Sequence, residues 1–406
     1  MNYNTHTLRN GIRLIHSPSD SQIAYCGLIV NAGSRDEKEN QQGLAHYLEH
    51  AIFKGTAKRR SFHILNRLEN VGGDINAFTT KEDTCVYTAF LKEHYARSFE
   101  LISDIVFNST FPEKEIEKEK EVIIDEINSY KDSPSELIFD EFEDLIFKNQ
   151  PLGRNILGNA KKIRKYNRED LIQFRDENYT TDQIVIFSLG NISFKKLINL
   201  TEKFFGHIPQ KSADTKQNSN IIYQPQKLIL NKNFHQLHAI IGNTAYDVWD
   251  KRRTALSFLN NLLGGSSMNS RLSMALRERN GFVYDIESNY TSYTDTGVFN
   301  IYFGTEKEKF EKSVNLIYKE FTKLREEKLG VLQLSRAKQQ LIGQMAIGMD
   351  NKESVAYSLG RSFLLFNKVD SLQEITKKID AITASEIMEI SNEILDESKL
   401  SLLVYR

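Results

Sequence analysis

Residues 43–55 read GLAHYLEHAIFKG, and within them His46 and His50 stand one helical turn apart with Glu49 beside the second. Two imidazoles at that spacing can present nitrogen lone pairs to a single cation, and zinc favours such ligands in a tetrahedral set. The glutamate beside them is placed to take a proton from a metal-bound water instead of binding the metal. Leu44, Leu48, Ala51 and Ile52 fall at i, i+4, i+7 and i+8, the pattern of an amphipathic helix. At about 100° per residue this apolar stripe spans roughly 340° to 80°, whereas His46, Glu49 and His50 fall at about 200°, 140° and 240°. The ionisable groups share the opposite face. A solvated helix face that happens to carry two histidines and a glutamate is the competing account, because short motifs need structural context.

A second stretch, residues 113–130 (EKEIEKEKEVIIDEINSY), reads as a charged helix with an apolar stripe at Ile116, Ile123, Ile127 and Tyr130. Most of its acids are expected to face water. Glu119 and Glu126 are seven apart, hence nearly superposed, and lie about 60° to 80° from the stripe, while Glu121 and Asp125 lie across the helix. A carboxylate at the edge of a buried surface is costly unless it is paired or bound to a metal. Glu126 is therefore a candidate third ligand that leaves a fourth position for water. Glu119 would stand behind it, orienting a ligand or the water. A rim salt bridge is the alternative.

Elements must hold these groups in place, and the chain of 406 residues is long enough for two or three domains. Hydrophobic residues make up 40% and charged residues 26%, enough for a substantial core. Lys and Arg number 53 against 54 Asp and Glu, a net charge of −1 that argues against a nucleic-acid partner. With only Cys26 and Cys85, a disulfide framework and a Cys-rich zinc module are excluded. No apolar run has membrane-spanning length and the first residues lack a signal-peptide core, so a cytoplasmic protein with no membrane partner is expected.

The polar stretch 211–220 (KSADTKQNSN) between Pro209 and Pro225 reads as a domain boundary. It gives domains at 1–210 and 225–406 joined by a linker at 211–224. Shifting the first half by 212 residues sets Asn31 on Asn243, Leu44 on Leu256, Phe78-Thr79-Thr80 on Tyr290-Thr291-Ser292, and Asp83-Thr84 on Asp295-Thr296. One offset across about sixty residues points to an internal duplication; two unrelated α/β domains of similar rhythm are the competing reading. Strands are expected over 23–30, 85–91 and 298–303, and helices over 113–130 and 307–327. The expected fold class is α+β, with two homologous sheet-plus-helix domains of about 200 residues related by that duplication. At the same offset His46, Glu49, His50 and Glu126 meet Phe258, Asn261, Leu262 and Lys338, so the second copy is expected to hold no metal and to serve substrate holding.

Taken together, GLAHYLEHAIFKGT, Glu126 seventy-six residues beyond His50, and Glu119 seven before Glu126 resemble the inverzincins of the pitrilysin family. These are metallopeptidases with an inverted H-x-x-E-H motif. The likeness is closest to the two-domain branch of mitochondrial processing peptidase and its bacterial relatives, and runs from Leu8-Arg9-Asn10-Gly11 to the C-terminus. The resemblance implies His46, His50 and Glu126 as ligands of one zinc ion per chain, Glu49 as general base and Glu119 as the supporting acid. It also implies that Arg277 and Tyr284, seven apart in SRLSMALRERNGFVYD, face the active site; by themselves they read as a surface Arg and a core Tyr. It further suggests that the strand around Asn76-Ala77-Phe78 is an edge to which an extended peptide adds, although Asn76 alone reads as a turn or strand-end residue. The small-residue stretch 264–272 (GGSSMNSRL) reads by itself as a helix stop followed by a serine N-cap, and the resemblance implies a flexible loop near a substrate chamber.

The expected function is a zinc-dependent endopeptidase that hydrolyses peptides or unfolded segments in an enclosed chamber. A homodimer is sufficient to form it, because one chain carries both the metal motif and the Arg/Tyr pair. A non-catalytic peptide-binding or scaffold subunit of a larger assembly is the rival, and the intact Glu49 speaks against it. A purely structural zinc site is a third reading and requires a saturated fourth ligand.

Overall fold

A computed structural model describes residues 2–213, 222–232 and 234–406, so most of the stretch expected to be the linker (214–221) lies outside the described residues. Runs rich in β-branched and aromatic residues form two sheets. The first contains β1 (Asn4–Thr7), β2 (Arg13–Pro18), β3 (Ile23–Val30), β4 (Asp74–Thr79), β5 (Thr84–Leu91) and β6 (Ile184–Gly190), in the order β1-β2-β6-β3-β5-β4. The second contains β7 (Lys227–Leu230), β8 (Leu237–Ala245), β9 (Val283–Ser292), β10 (Gly297–Thr305) and β11 (Ser401–Tyr405), in the order β7-β11-β8-β10-β9.

From β2 onward the first order repeats the pattern of the second, and β1 is an additional strand beside β2. β2 pairs parallel with β6 as β7 does with β11, and every later neighbour in both sheets is antiparallel. The duplicated sheet-plus-helix architecture expected from the offset is present, and β3 and the helix Glu113–Lys131 fall where the patterning puts them. The stretch 307–327 begins with a 3-10 turn, Lys307–Lys309, before the helix Phe310–Glu326.

Two compact units form, and they do not follow a single cut near 211–224. One comprises Met1–Asn128, Arg154–Gln217 and Gly348–Ser371; the other comprises Ser129–Gly153, Asn218–Ile347 and Leu372–Arg406. The cause is an exchange of corresponding helices. In the first unit one sheet face, carrying Ile29, Cys85, Val185, Phe187 and Leu189, is covered by Ala356, Leu359 and Phe363 of the helix Lys352–Phe366. Gly27 and Gly360 leave room for the Phe187 ring, since a Cβ at either would stand 2.2 Å or 2.5 Å from it. In the second unit Ile240, Val298 and Leu403 are covered by Ile138 and Phe142 of the helix Pro134–Ile146. A sheet apolar on both faces needs cover on both. Each sheet takes that cover from the other half of the chain. Among the described residues no helix is long and apolar enough to cross a membrane.

Candidate metal centre

The helix Leu44–Ala51 has only eight residues, too few to persist alone. Its start is built with care. Gly43 sits at φ +87°, where a Cβ would also meet the Leu157 carbonyl oxygen at 2.7 Å, so glycine is required. The Glu37 carboxylate accepts the N–H groups of Gly43 at 3.0 Å and Ala45 at 2.8 Å, satisfying donors that the first helical turn leaves free. Leu44, Leu48 and Ala51 enter the core as the periodicity requires. The opposite face is not solvated. His46 and Glu49 are buried and His50 is half-buried, because β4 and the helix Glu113–Lys131 lie against them. The Tyr47 hydroxyl, donating to the Ile116 carbonyl at 2.7 Å, ties the two helices together.

Glu119 and Glu126 project toward the motif helix, while Glu121 and Asp125 are exposed, as their angular positions predict. Glu126 Oε2 lies 3.7 Å from His46 Nε2 and 3.7 Å from His50 Nε2. That is too long for hydrogen bonds. It is close to the separation of about 3.3–3.6 Å expected between ligands that share a zinc ion at about 2.0–2.2 Å. One ligand atom from each of the three residues can lie within 4.8 Å of the other two. His50 Nδ1 meets Glu119 Oε1 at 2.9 Å, which fixes the proton on Nδ1 and leaves the Nε2 lone pair toward Glu126. Lys54 Nζ holds the other Glu119 oxygen at 2.6 Å.

Electrostatics favour a cation here. Burial, followed by the neighbouring His50, pushes His46 down to about 3, so it is neutral and free to donate a lone pair. Burial works against charge on His50, yet Glu119, Glu49 and Glu126 together hold it above its ordinary value. Glu119 is desolvated, and the bonds from His50 and Lys54 outweigh this and hold it below the usual carboxylate range. Burial raises Glu49, partly offset by the Thr79 hydroxyl, which donates to Glu49 Oε2 at 2.7 Å. The donor set of two imidazoles and a carboxylate, braced by a second carboxylate, fits zinc.

The family described as Insulinase (Peptidase family M16) matches residues 13–160, and the Peptidase M16 inactive domain matches residues 165–341. The chain belongs to peptidase family M16. A zinc protease of Bacillus subtilis, itself described as uncharacterized, is 32% identical across 97% of this chain and 95% of its own. Mitochondrial-processing peptidase subunit beta of Saccharomyces cerevisiae is 29% identical over 98% of this chain and 90% of its own. The crystal structure of a protease from Helicobacter pylori superposes with a TM-score of 0.92 at 20% identity, covering 100% and 99% of the two chains, and so shares the fold. The M16 assignment agrees with the pitrilysin-type resemblance of the motif.

In this M16 chain the remaining expected site residues are placed as follows. Asn76, Ala77 and Phe78 lie in β4, the terminal strand of its sheet, with Asn76 exposed. Arg277 lies in the π-helical turn Ser273–Glu278 and donates to Glu278 Oε1 at 2.9 Å. Tyr284 is not the core residue its surroundings suggest: it is 54% exposed and donates to Glu306 Oε1 at 2.9 Å. Both belong to the second unit. The stretch 264–272 connects the helix Arg253–Gly264 to the Ser273–Glu278 turn, with Met268 exposed. Thr79, Lys54 and Glu37 were not legible in the sequence. Each acts through a neighbour distant in the chain or on another element, where spacing along one helix carries no signal.

Proposed function

We propose that the chain is a zinc-dependent endopeptidase that hydrolyses peptides or unfolded segments. The observation that carries this is the position of the Glu126 carboxylate oxygen, equidistant from the Nε2 atoms of His46 and His50, with Glu49 beside them on the same helix. When bound, zinc would supply Lewis-acid polarisation of a peptide carbonyl and activation of a water. Glu49 takes the proton of the attacking water and later returns it to the leaving amine, the exchange expected of a buried carboxylate with a raised pKa. Thr79 keeps the Glu49 carboxylate in one orientation, and Glu119 fixes the tautomer of His50.

β4 offers the free edge of its sheet to an extended peptide, which would add as a further strand through main-chain hydrogen bonds. Tyr284 would donate to the developing oxyanion and Arg277 would hold a backbone carbonyl of the substrate, by resemblance to the family. The 1–210 part is the catalytic half and 225–406 the substrate-holding half. One zinc per chain, a homodimeric chamber and a cytoplasmic setting complete the proposal.

The deciding experiment is hydrolysis of quenched fluorescent peptides by the purified protein, before and after chelation and zinc add-back. Chelator-sensitive cleavage restored by zinc supports the peptidase. Bound zinc and bound peptide without cleavage support a non-catalytic peptide-binding subunit. Sedimentation of the zinc-loaded protein tests the homodimer.

A further inference from the structure

β4 is the edge strand of its sheet and, among the described strands, pairs with β5 alone. The position of its last residue, Thr79, therefore depends on what holds the end of the hairpin. Thr79 reaches across to the motif helix and donates to Glu49 Oε2 at 2.7 Å, whereas Phe78 lies on the opposite face of the sheet. The turn that joins β4 to β5, residues 80–83, contains Lys81, Glu82 and Asp83, all three buried. Buried charges are costly unless they are paired. Lys81 donates to the Arg154 carbonyl at 2.5 Å and Glu82 pairs with Arg35, which ties the tip of the turn.

Asp83 is held by the helix Lys352–Phe366. The Tyr357 hydroxyl donates to Asp83 Oδ1 at 3.2 Å, and Arg361 Nε donates to Asp83 Oδ2 at 3.3 Å. Burial works against charge on Asp83, and Arg361, followed by the Tyr357 hydroxyl, opposes that effect. Asp83 in turn is bonded twice to Thr80, the neighbour of Thr79. Its N–H donates to the Thr80 hydroxyl at 3.0 Å, and its carbonyl accepts the Thr80 N–H at 2.7 Å. The Tyr357 ring also stands edge-on to Phe78 at 4.9 Å. One helix thus grips the residue before Thr79 and the turn after it. A clamp that only fastened this helix to the sheet would act equally whether or not Thr79 carried a hydroxyl. We propose that Arg361 and Tyr357 are positioning residues for the hydrolytic reaction, holding the 80–83 turn through Asp83 so that the Thr79 hydroxyl stays on Glu49. This rests on the reading of Glu49 as the general base.

The test is peptide kinetics on the zinc-loaded full chain, with zinc content and unfolding midpoint measured for every variant. Arg361→Gln should lower kcat by about threefold to tenfold while KM stays within about twofold. Arg361→Lys, whose ammonium lies one bond beyond the position of Nε, should recover most of the loss. Tyr357→Phe keeps the ring on Phe78, removes only the hydroxyl, and should lower kcat by about twofold to threefold. It decides the matter should Arg361→Gln fail to fold. In a chain already carrying Thr79→Val, either substitution should change kcat by less than about 1.5-fold, because no hydroxyl is left to position. Equal losses in the native and Thr79→Val chains would overturn the proposal. So would an unaltered kcat in Tyr357→Phe, or a loss of kcat that follows a loss of zinc. No cleavage by the unsubstituted zinc-loaded chain would overturn the peptidase reading and this role with it. Cleavage with equal losses in both backgrounds would remove the role alone and leave the peptidase intact.

Discussion

Around Glu126 the charges do not balance. Glu49, Glu119 and Glu126 crowd two imidazoles, one of them neutral, and among the described residues Lys54 and His50 pair with Glu119. Such a site is costly unless a cation joins it. Glu49→Gln keeps the shape and removes the base, so turnover should fall by about 10²- to 10⁴-fold with zinc content and peptide affinity retained. Peptide kinetics alongside metal analysis check this, and unaltered turnover would remove Glu49 from the role. Thr79→Val deletes the hydroxyl that orients Glu49 and should lower kcat by about tenfold at constant zinc content, with Thr79→Ser recovering most of it. Glu119→Gln weakens the brace on His50, and competition with a chelator should show zinc held about 10- to 100-fold less tightly.

The motif helix depends on what lies outside it. Its start needs a positive φ at Gly43 and the accepting side-chain oxygens of Glu37, six residues earlier. Burial pushes Glu37 up to about 8, against the N–H groups of residues 43–45 and the charge of Arg154, with the Tyr166 hydroxyl also nearby. A carboxyl raised in the fold keeps a proton that the unfolded chain, with a value of about 4.5, has already lost. Its contribution to stability is therefore present at low pH and is lost as pH rises from about 4.5 to about 8. Glu37→Gln cannot ionise, so the difference in Tm between the native chain and this variant should drift against the native chain across that window and then level off. A difference independent of pH would show that Glu37 does not change charge there. Glu37→Ala, which leaves the helix N–H groups without their acceptor, should cost about 1–2 kcal/mol below about pH 4.5, where Glu37 is protonated in both states, measurable by denaturant unfolding.

For the whole molecule, the exchanged helices make the two halves of the chain unequal to the two units. Residues 1–213 alone would carry the first sheet without Ala356, Leu359 and Phe363, leaving Ile29, Val185, Phe187 and Leu189 uncovered. That fragment should bind a hydrophobic dye and unfold without a sharp transition, and fusing residues 348–371 to it should restore cooperativity in near-UV circular dichroism. A cooperative fragment without the fusion would show that the exchanged helix is dispensable. Much of the candidate site is legible in the sequence. The i, i+4 placement of His46 and His50, the seven-residue spacing of Glu119 and Glu126, and the 212-residue offset all follow from periods fixed by backbone geometry, and a period can be read from one chain. Only the tertiary structure decided that Thr79 reaches Glu49, that Lys54 and Glu37 support the centre, that Tyr284 is exposed, and that the helices Pro134–Ile146 and Lys352–Phe366 change places. The physical reason is common to these. Each depends on which face meets which, and apolar faces can satisfy their need for cover with a partner from either half of the chain.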